Sequence, residues 1–249
     1  MAGISILEDQ KYSYLVNKQP FFFRIWKKIF YYYCKFVFLW YTPVRIYGRE
    51  KLPDGSAVFC SNHNSHMDVA LLSAAAGKSF NYFGMLAAKD YWFDSNIKRV
   101  LTNFVMNLVP IARKSEEQTI DFPFDNTIAL CRAFMNQGNR NLVIFPEGSR
   151  GTPGDIRPFR KGAAEFSVKL NVPIVPVFIY GSHKAWPKGK IFMRPVQIQV
   201  HILDPMYPSE FILDGDTDNS ESVIRFIQEL ERRIRKEDRK STRLNSSHT

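Results

Sequence analysis

From about residue 45 onward, the apolar positions come in short continuous runs separated by amphipathic stretches. The runs "AVFCS" (57–61), "NYFGMLA" (81–87), "NLVPIAR" (107–113), "NLVIF" (141–145) and "VPIVPVFIY" (172–180) are five to nine residues long and read as buried strands. Between them, "DVALLSAAAG" (68–77), "SNIKRVLTNFVM" (95–106), "FDNTIALCRAFMNQG" (124–138) and "KGAAEFSVKL" (161–170) read as helices, two of them closed by glycine. "KIFMRP" (190–195) and "VQIQVHIL" (196–203) predict late strands, and "SESVIRFIQELERRIRKEDRK" (220–240) a long charged amphipathic helix. Alternation of this kind predicts an α/β fold: a mainly parallel sheet flanked by helices.

The segment "PFFFRIWKKIFYYYCKFVFLWYTP" (20–43) breaks the pattern. It is intensely aromatic, yet Arg24, Lys27, Lys28 and Lys35 interrupt it. No uncharged run approaches the ~18 residues of a spanning helix. At ~100° per residue, Arg24, Lys27, Lys28, Tyr31 and Lys35 fall on one stripe, with Phe, Ile, Trp, Leu and Val on the other faces. A basic stripe beside aromatic surface predicts a helix lying in a membrane interface. A core-packed helix with a solvated basic edge is the alternative. The chain thus divides into an N-terminal amphipathic membrane-associating segment (1–44), a catalytic-type domain (45–239) and a polar tail without periodicity (240–249).

Charge sharpens this. The 249 residues carry a formal net charge of +10, which suits an anionic partner: nucleic acid, an anionic bilayer, or a phosphorylated or CoA-linked substrate. The three cysteines, Cys34, Cys60 and Cys131, form no C-x-x-C pair, so a reducing compartment is the simpler reading. The first twenty residues show no apolar signal-peptide core.

Candidate chemistry sits where strands end. In "VFCSNHNSHMD" (58–68), His63 and Asp68 are five apart, so they meet only if His63 lies in the strand-to-helix turn and Asp68 in the first helical turn. A carboxylate on one imidazole nitrogen leaves the other free as a base. A polar helix-capping cluster without chemistry is the competing reading. A metal set of His63, His66 and Asp68 matches no common zinc spacing. "VIFPEGSRG" places Glu147, Gly148, Ser149 and Arg150 after a strand. Arg113 follows "VPIA", and "RPFRKGA" adds Arg157, Arg160 and Lys161 before a helix. Arginines and backbone N–H groups gathered at strand ends make a phosphate site. No Walker loop or G-x-G-x-x-G turn is present.

In order and spacing, these blocks resemble the glycerolipid acyltransferases, and most of all bacterial-type 1-acylglycerol-3-phosphate acyltransferases. "NHNSHMD" is similar to that family's H-x4-D block, Arg113 to its second, "FPEGSR" to its third and "VPIVPV" to its fourth. The resemblance implies His63 as general base and Asp68 as its orienting carboxylate. It implies an acceptor site of Arg113, Glu147, Gly148, Ser149, Arg150 and Lys161, with no role for His66. It further implies no metal or cofactor, with acyl-CoA or acyl carrier protein as donor and the sn-2 hydroxyl of 1-acylglycerol 3-phosphate as acceptor. The product would be phosphatidic acid. The partners expected are the lysophospholipid, the donor and an anionic membrane surface on the cytoplasmic face, and not nucleic acid. Glycerol 3-phosphate, another lysophospholipid or a lyso-aminolipid remain alternative acceptors. A catalytically silent, membrane-docked module is the alternative of another class.

Overall fold

The computed structural model describes residues 5–93, 98, 103–112, 122–151, 154–187, 189–212 and 220–246, without the side chains of 91 and 242–246. Within these, seven strands form one sheet: β1 (Val44–Tyr47), β2 (Val58–Ser61), β3 (Phe83–Ala88), β4 (Asn107–Ile111), β5 (Asn141–Ile144), β6 (Ile174–Tyr180) and β7 (Ile198–Ile202). Their spatial order is β1-β7-β6-β2-β5-β3-β4. All neighbouring pairs are parallel except β6 and β7, so β1 and β7 run against the other five. The helices are α1 (Ser13–Val16), α2 (Phe21–Trp40), α3 (Asp68–Ala76), α4 (Lys89–Trp92), α5 (Phe124–Met135), α6 (Gly162–Leu170), α7 (Ser182–Ala185) and α8 (Ser220–Ser246).

The mainly parallel sheet flanked by helices follows from strands apolar on both faces. In β2, Val58 and Cys60 point into one buried layer with α5, α6 and α8, while Phe59 points into the other with α2 and α3. β5 divides the same way, Leu142 and Ile144 against Val143. Such strands must be covered on both sides, and amphipathic helices supply the cover. In α8, Val223, Phe226, Ile227, Leu230 and Ile234 recur at helical spacing and are buried. Gly84 lets α5 close on β3: a Cβ there would stand 3.0 Å from the Phe134 ring.

Three expectations change, and a fourth lies outside what the structure describes. The run 190–195 forms no strand, because β1 and β6 already occupy both edges of β7. The helix expected over 95–106 lies mostly outside the described residues. The last helix continues to Ser246, so most of the tail set apart at 240–249 extends α8. The N-terminal segment 1–44 is no appendage either. Tyr12 and Leu15 sit in the core, and Tyr14 donates its hydroxyl hydrogen to the Leu108 carbonyl of β4.

The basic stripe of α2 also divides. Lys27 and Tyr31 turn inward with Cys34 and Phe38, while Arg24, Lys28 and Lys35 stay exposed. Lys27 is fully buried, and its Nζ donates to Gln19 Oε1 (2.7 Å), Asn103 Oδ1 (2.7 Å) and Asn107 Oδ1. Three amide oxygens match the three N–H bonds of an ammonium, which is why a charged side chain is tolerated inside. Burial, and secondarily Arg140, pull its pKa down to about 7 against that cage. Phe21, Phe22, Ile29, Tyr32, Tyr33, Phe36, Leu39 and Trp40 remain outside. No helix among the described residues is long and apolar enough to cross a membrane.

Candidate active site

The site is built where β2 and β5 end. β2 stops at Ser61 and α3 starts at Asp68, so residues 62–67 form a turn between a central strand and a helix N-terminus. Asn62 fixes the start of this turn. Its Nδ2 donates to the Ile179 carbonyl (2.9 Å), and its Oδ1 accepts from Ile179 N (2.8 Å) on β6. Ser65 Oγ donates to the Trp186 carbonyl at 2.7 Å, tying the far end to the loop after α7.

Asp68 occupies the first position of α3 and is 1% exposed. Its Oδ2 accepts from the backbone N–H groups of Asn64 and Ser65, both at 2.8 Å, and lies 3.0 Å from His63 Nδ1. The two backbone donors hold the oxygen still, and a helix N-terminus favours the carboxylate. This places the Nδ1 hydrogen toward Asp68 and leaves Nε2, which has no partner among the described residues, as the basic nitrogen. The His63 ring lies flat on Phe145, with centroids 3.8 Å apart and an interplanar angle of 14°. The imidazole is therefore held by a carboxylate at its edge and a phenyl ring on its face.

Glu147 ties the two strand ends together. Oε1 accepts from His63 N at 2.8 Å and Oε2 from Arg157 N at 3.1 Å. Burial raises its pKa, while those two backbone bonds and the nearby His63 and Arg157 act in the opposite direction. At 3% exposure, with both oxygens taken by backbone, it braces the site from within rather than facing a substrate. Gly148 follows at φ 77°, and a Cβ there would come within 3.0 Å of the Arg160 guanidinium. Only glycine combines that backbone angle with room for the arginine. Arg157 Nη1 donates to Ser149 Oγ at 3.0 Å. Arg150 Nη1 lies 2.6 and 2.7 Å from the two ring nitrogens of His66, whose ring centroid is 5.5 Å from that of Trp186. Burial first, then Arg150, lowers the pKa of His66, keeping it neutral beside the guanidinium.

The structure thus brings His63, Asp68, Glu147, Gly148, Ser149 and Arg150 to one end of the sheet. Lys161 stands at the start of α6, one residue after Arg160, whose N–H donates to the Pro146 carbonyl at 2.9 Å, and its half-exposed Nζ pairs with Glu165 Oε1 at 2.9 Å. Arg113 lies outside the described residues. Arg157 and Arg160, rather than Lys161, crowd the turn after β5. His66 turns toward Arg150, so it shares no metal-holding geometry with His63 and Asp68. Phe145, Asn62 and Trp186 were not legible as site residues. Each acts across 82 to 121 positions of sequence, and no local spacing signals such a contact.

A family model described as acyltransferase matches residues 43–180, more than half the chain and all of the site except Trp186. The chain belongs to the acyltransferase family. Its relatives include a 1-acyl-sn-glycerol-3-phosphate acyltransferase of Limnanthes douglasii, 26% identical over 178 residues. That match covers 72% of this chain and 59% of the plant protein, so the chain spans about three-fifths of that relative's length. A 1-acyl-sn-glycerol-3-phosphate acyltransferase of Borreliella burgdorferi is 26% identical over 208 residues, covering 80% of this chain and 76% of that one. The crystal structure of the 1-acyl-sn-glycerophosphate acyltransferase of Thermotoga maritima shares the fold. Its TM-score is 0.65 at 21% identity, covering 92% of this chain and 85% of that one.

Proposed function

We propose that this acyltransferase moves a fatty acyl group from acyl-CoA or acyl carrier protein to the sn-2 hydroxyl of 1-acylglycerol 3-phosphate, giving phosphatidic acid. The observation that carries the reading is the His63–Asp68 pair, with Oδ2 clamped by two backbone amides and Nε2 without a partner among the described residues. His63 Nε2 takes the proton of the acceptor hydroxyl, and Asp68 stabilises the resulting imidazolium. The hydroxyl oxygen bonds to the thioester carbonyl carbon, the C–S bond breaks, and the departing thiolate takes the proton back from His63. Arg150, Arg157 and Arg160 supply the positive field for the acceptor phosphate, and Glu147 holds the two loops in register.

The same reading places the protein on the cytoplasmic surface of a membrane. It is supported by the exposed aromatic face of α2, the basic edge of Arg24, Lys28 and Lys35, and three free buried cysteines. The test is an acceptor panel with purified protein and acyl-CoA or acyl carrier protein: 1-acylglycerol 3-phosphate, glycerol 3-phosphate, other lysophospholipids and 1-acylglycerol. Strong preference for 1-acylglycerol 3-phosphate is the expected result. Transfer to another acceptor would reassign the substrate, and no transfer to any would leave a binding module.

A further inference from the structure

The tight turn after α7 carries a feature that acyl transfer does not account for. Ile191 and Phe192 are adjacent and 82% and 83% exposed, the most exposed large apolar side chains among the described residues. A single exposed hydrophobe is ordinary, whereas two in sequence on an ordered turn are not. The turn is built. Trp186 Nε1 donates to the Lys190 carbonyl at 2.8 Å, Lys190 N to the Pro187 carbonyl at 3.2 Å, and Arg194 N to the Ala185 carbonyl at 2.8 Å. Met193 and Val196 on its return side pack against the core, so the tip is held outward by its own base.

Two neighbours say what the tip meets. The Tyr41 hydroxyl donates to the Met193 carbonyl at 3.0 Å, joining the turn to the end of α2, where Leu39 is 72% and Trp40 74% exposed. The tip therefore lies beside the exposed C-terminal end of that helix. Exposed Lys190 and Arg194 flank it. An apolar tip between two cations matches a bilayer with anionic headgroups, the hydrocarbon taking Ile191 and Phe192 and the phosphates the cations.

We infer that the 189–194 turn is a second membrane-inserting element, set beside α2, that seats the mouth of the active site at the headgroup level. The coupling to the site is short. Trp186, at the root of the turn, accepts from Ser65 Oγ through its carbonyl and holds its ring 5.5 Å from that of His66. Seating the tip thereby places the His63 loop where a lysophospholipid presents its phosphate and hydroxyl, so the acceptor need not leave the bilayer. This deepens the proposed function and rests on it only in its kinetic arm.

Two measurements test it. In the first, Phe192→Cys carries an environment-sensitive NBD fluorophore, and Lys169→Cys on the exposed side of α6 serves as control. Cys34, Cys60 and Cys131 are buried and leave labelling selective. Vesicles of phosphatidylcholine with phosphatidylglycerol should blue-shift the probe at 192 and not at 169, with a weaker shift on phosphatidylcholine alone. In the second, Ile191→Asp and Phe192→Asp should each weaken vesicle binding about tenfold, as expected when one large apolar side chain no longer leaves water. Each should raise KM for vesicle-embedded 1-acylglycerol 3-phosphate while leaving kcat/KM for a short-chain acceptor in detergent unchanged. A probe at 192 that stays in water while the protein is vesicle-bound would overturn this inference alone. A shift that instead follows protein concentration without lipid would overturn it in favour of self-association. Loss of turnover with both acceptor presentations would overturn the kinetic arm. Vesicle insertion by a wild type without transferase activity would sustain the surface and sink the acyl-transfer reading.

Discussion

At the scale of single residues, the site separates groups that touch the reaction from groups that hold them. His63→Ala should lower kcat by ~10²–10⁴-fold, the usual worth of a positioned general base, with little change in folding. His66→Ala should cost much less, since its ring meets Arg150 and Trp186 rather than the base. Equal losses from the two, measured in one steady-state assay, would show the base to be misassigned. Arg150→Ala should cut kcat/KM for a phosphorylated acceptor tenfold or more, since hydrogen bonds to charged groups are worth ~1.5–3 kcal/mol. Arg150→Lys should recover only part, because lysine keeps the charge and loses the planar fork. The contrast to measure is 1-acylglycerol 3-phosphate against 1-acylglycerol. An unchanged preference, with the damage in the donor KM, would place Arg150 on the donor phosphates.

At the scale of elements, α2 is the most informative. One face is bolted to the sheet and the opposite face carries exposed aromatic and aliphatic side chains. The bolt is Lys27. Replacing it with methionine leaves the Gln19 and Asn103 oxygens buried without this donor, at a cost of ~1–3 kcal/mol. The cost should depend on pH in a definite direction. With the folded pKa lowered to about 7, the unfolded chain holds a proton that the folded chain has lost across the interval up to lysine's ordinary value. The Lys27 contribution therefore rises with pH through that interval, by up to ~1.4 kcal/mol per unit, and is lost as pH falls through about 7. Urea unfolding of wild type and Lys27→Met between neutral and alkaline pH reads this slope. A difference independent of pH would mean that the amide cage keeps Lys27 charged throughout.

At the scale of the whole molecule, net charge and exposed aromatic surface act together. Binding to anionic vesicles should be strong at low ionic strength and weaken with salt, because the Debye length shrinks from ~10 Å at 0.1 M to ~3 Å at 1 M. Removing residues 1–43 is a poor test, since it strips Tyr12, Leu15, Lys27, Tyr31 and Phe38 from the interior. Phe36→Asp with Trp40→Asp keeps the interior and removes only exposed apolar area, 61% and 74% exposed at the two positions. Co-sedimentation with vesicles should fall sharply in that double variant while thermal unfolding stays close to wild type. Unchanged co-sedimentation would remove α2 from the membrane. Chelation by EDTA should leave acyl transfer unchanged, and a loss on chelation would return a metal to the site.

The sequence by itself determined the layers, the strand-end placement of the chemistry and the pairing of His63 with Asp68. Those features are local: an apolar run must be covered, a helix start needs acceptors, and a five-residue spacing closes only around a turn. Only the tertiary structure decided which partner each of several equivalent-looking charges meets. Lys161 and Arg160 are neighbours in sequence, yet one pairs with Glu165 and the other lies over Gly148. Lys27 and Lys28 are likewise adjacent, and one is sealed in amides while the other stays in water. Glu147 reads as a substrate ligand until its two oxygens are found on the backbone of His63 and Arg157. Whether a polar side chain faces a substrate, a neighbour or solvent depends on what the rest of the chain brings opposite it. Those partners arrive across intervals of up to more than a hundred residues, over which local periodicity carries no record.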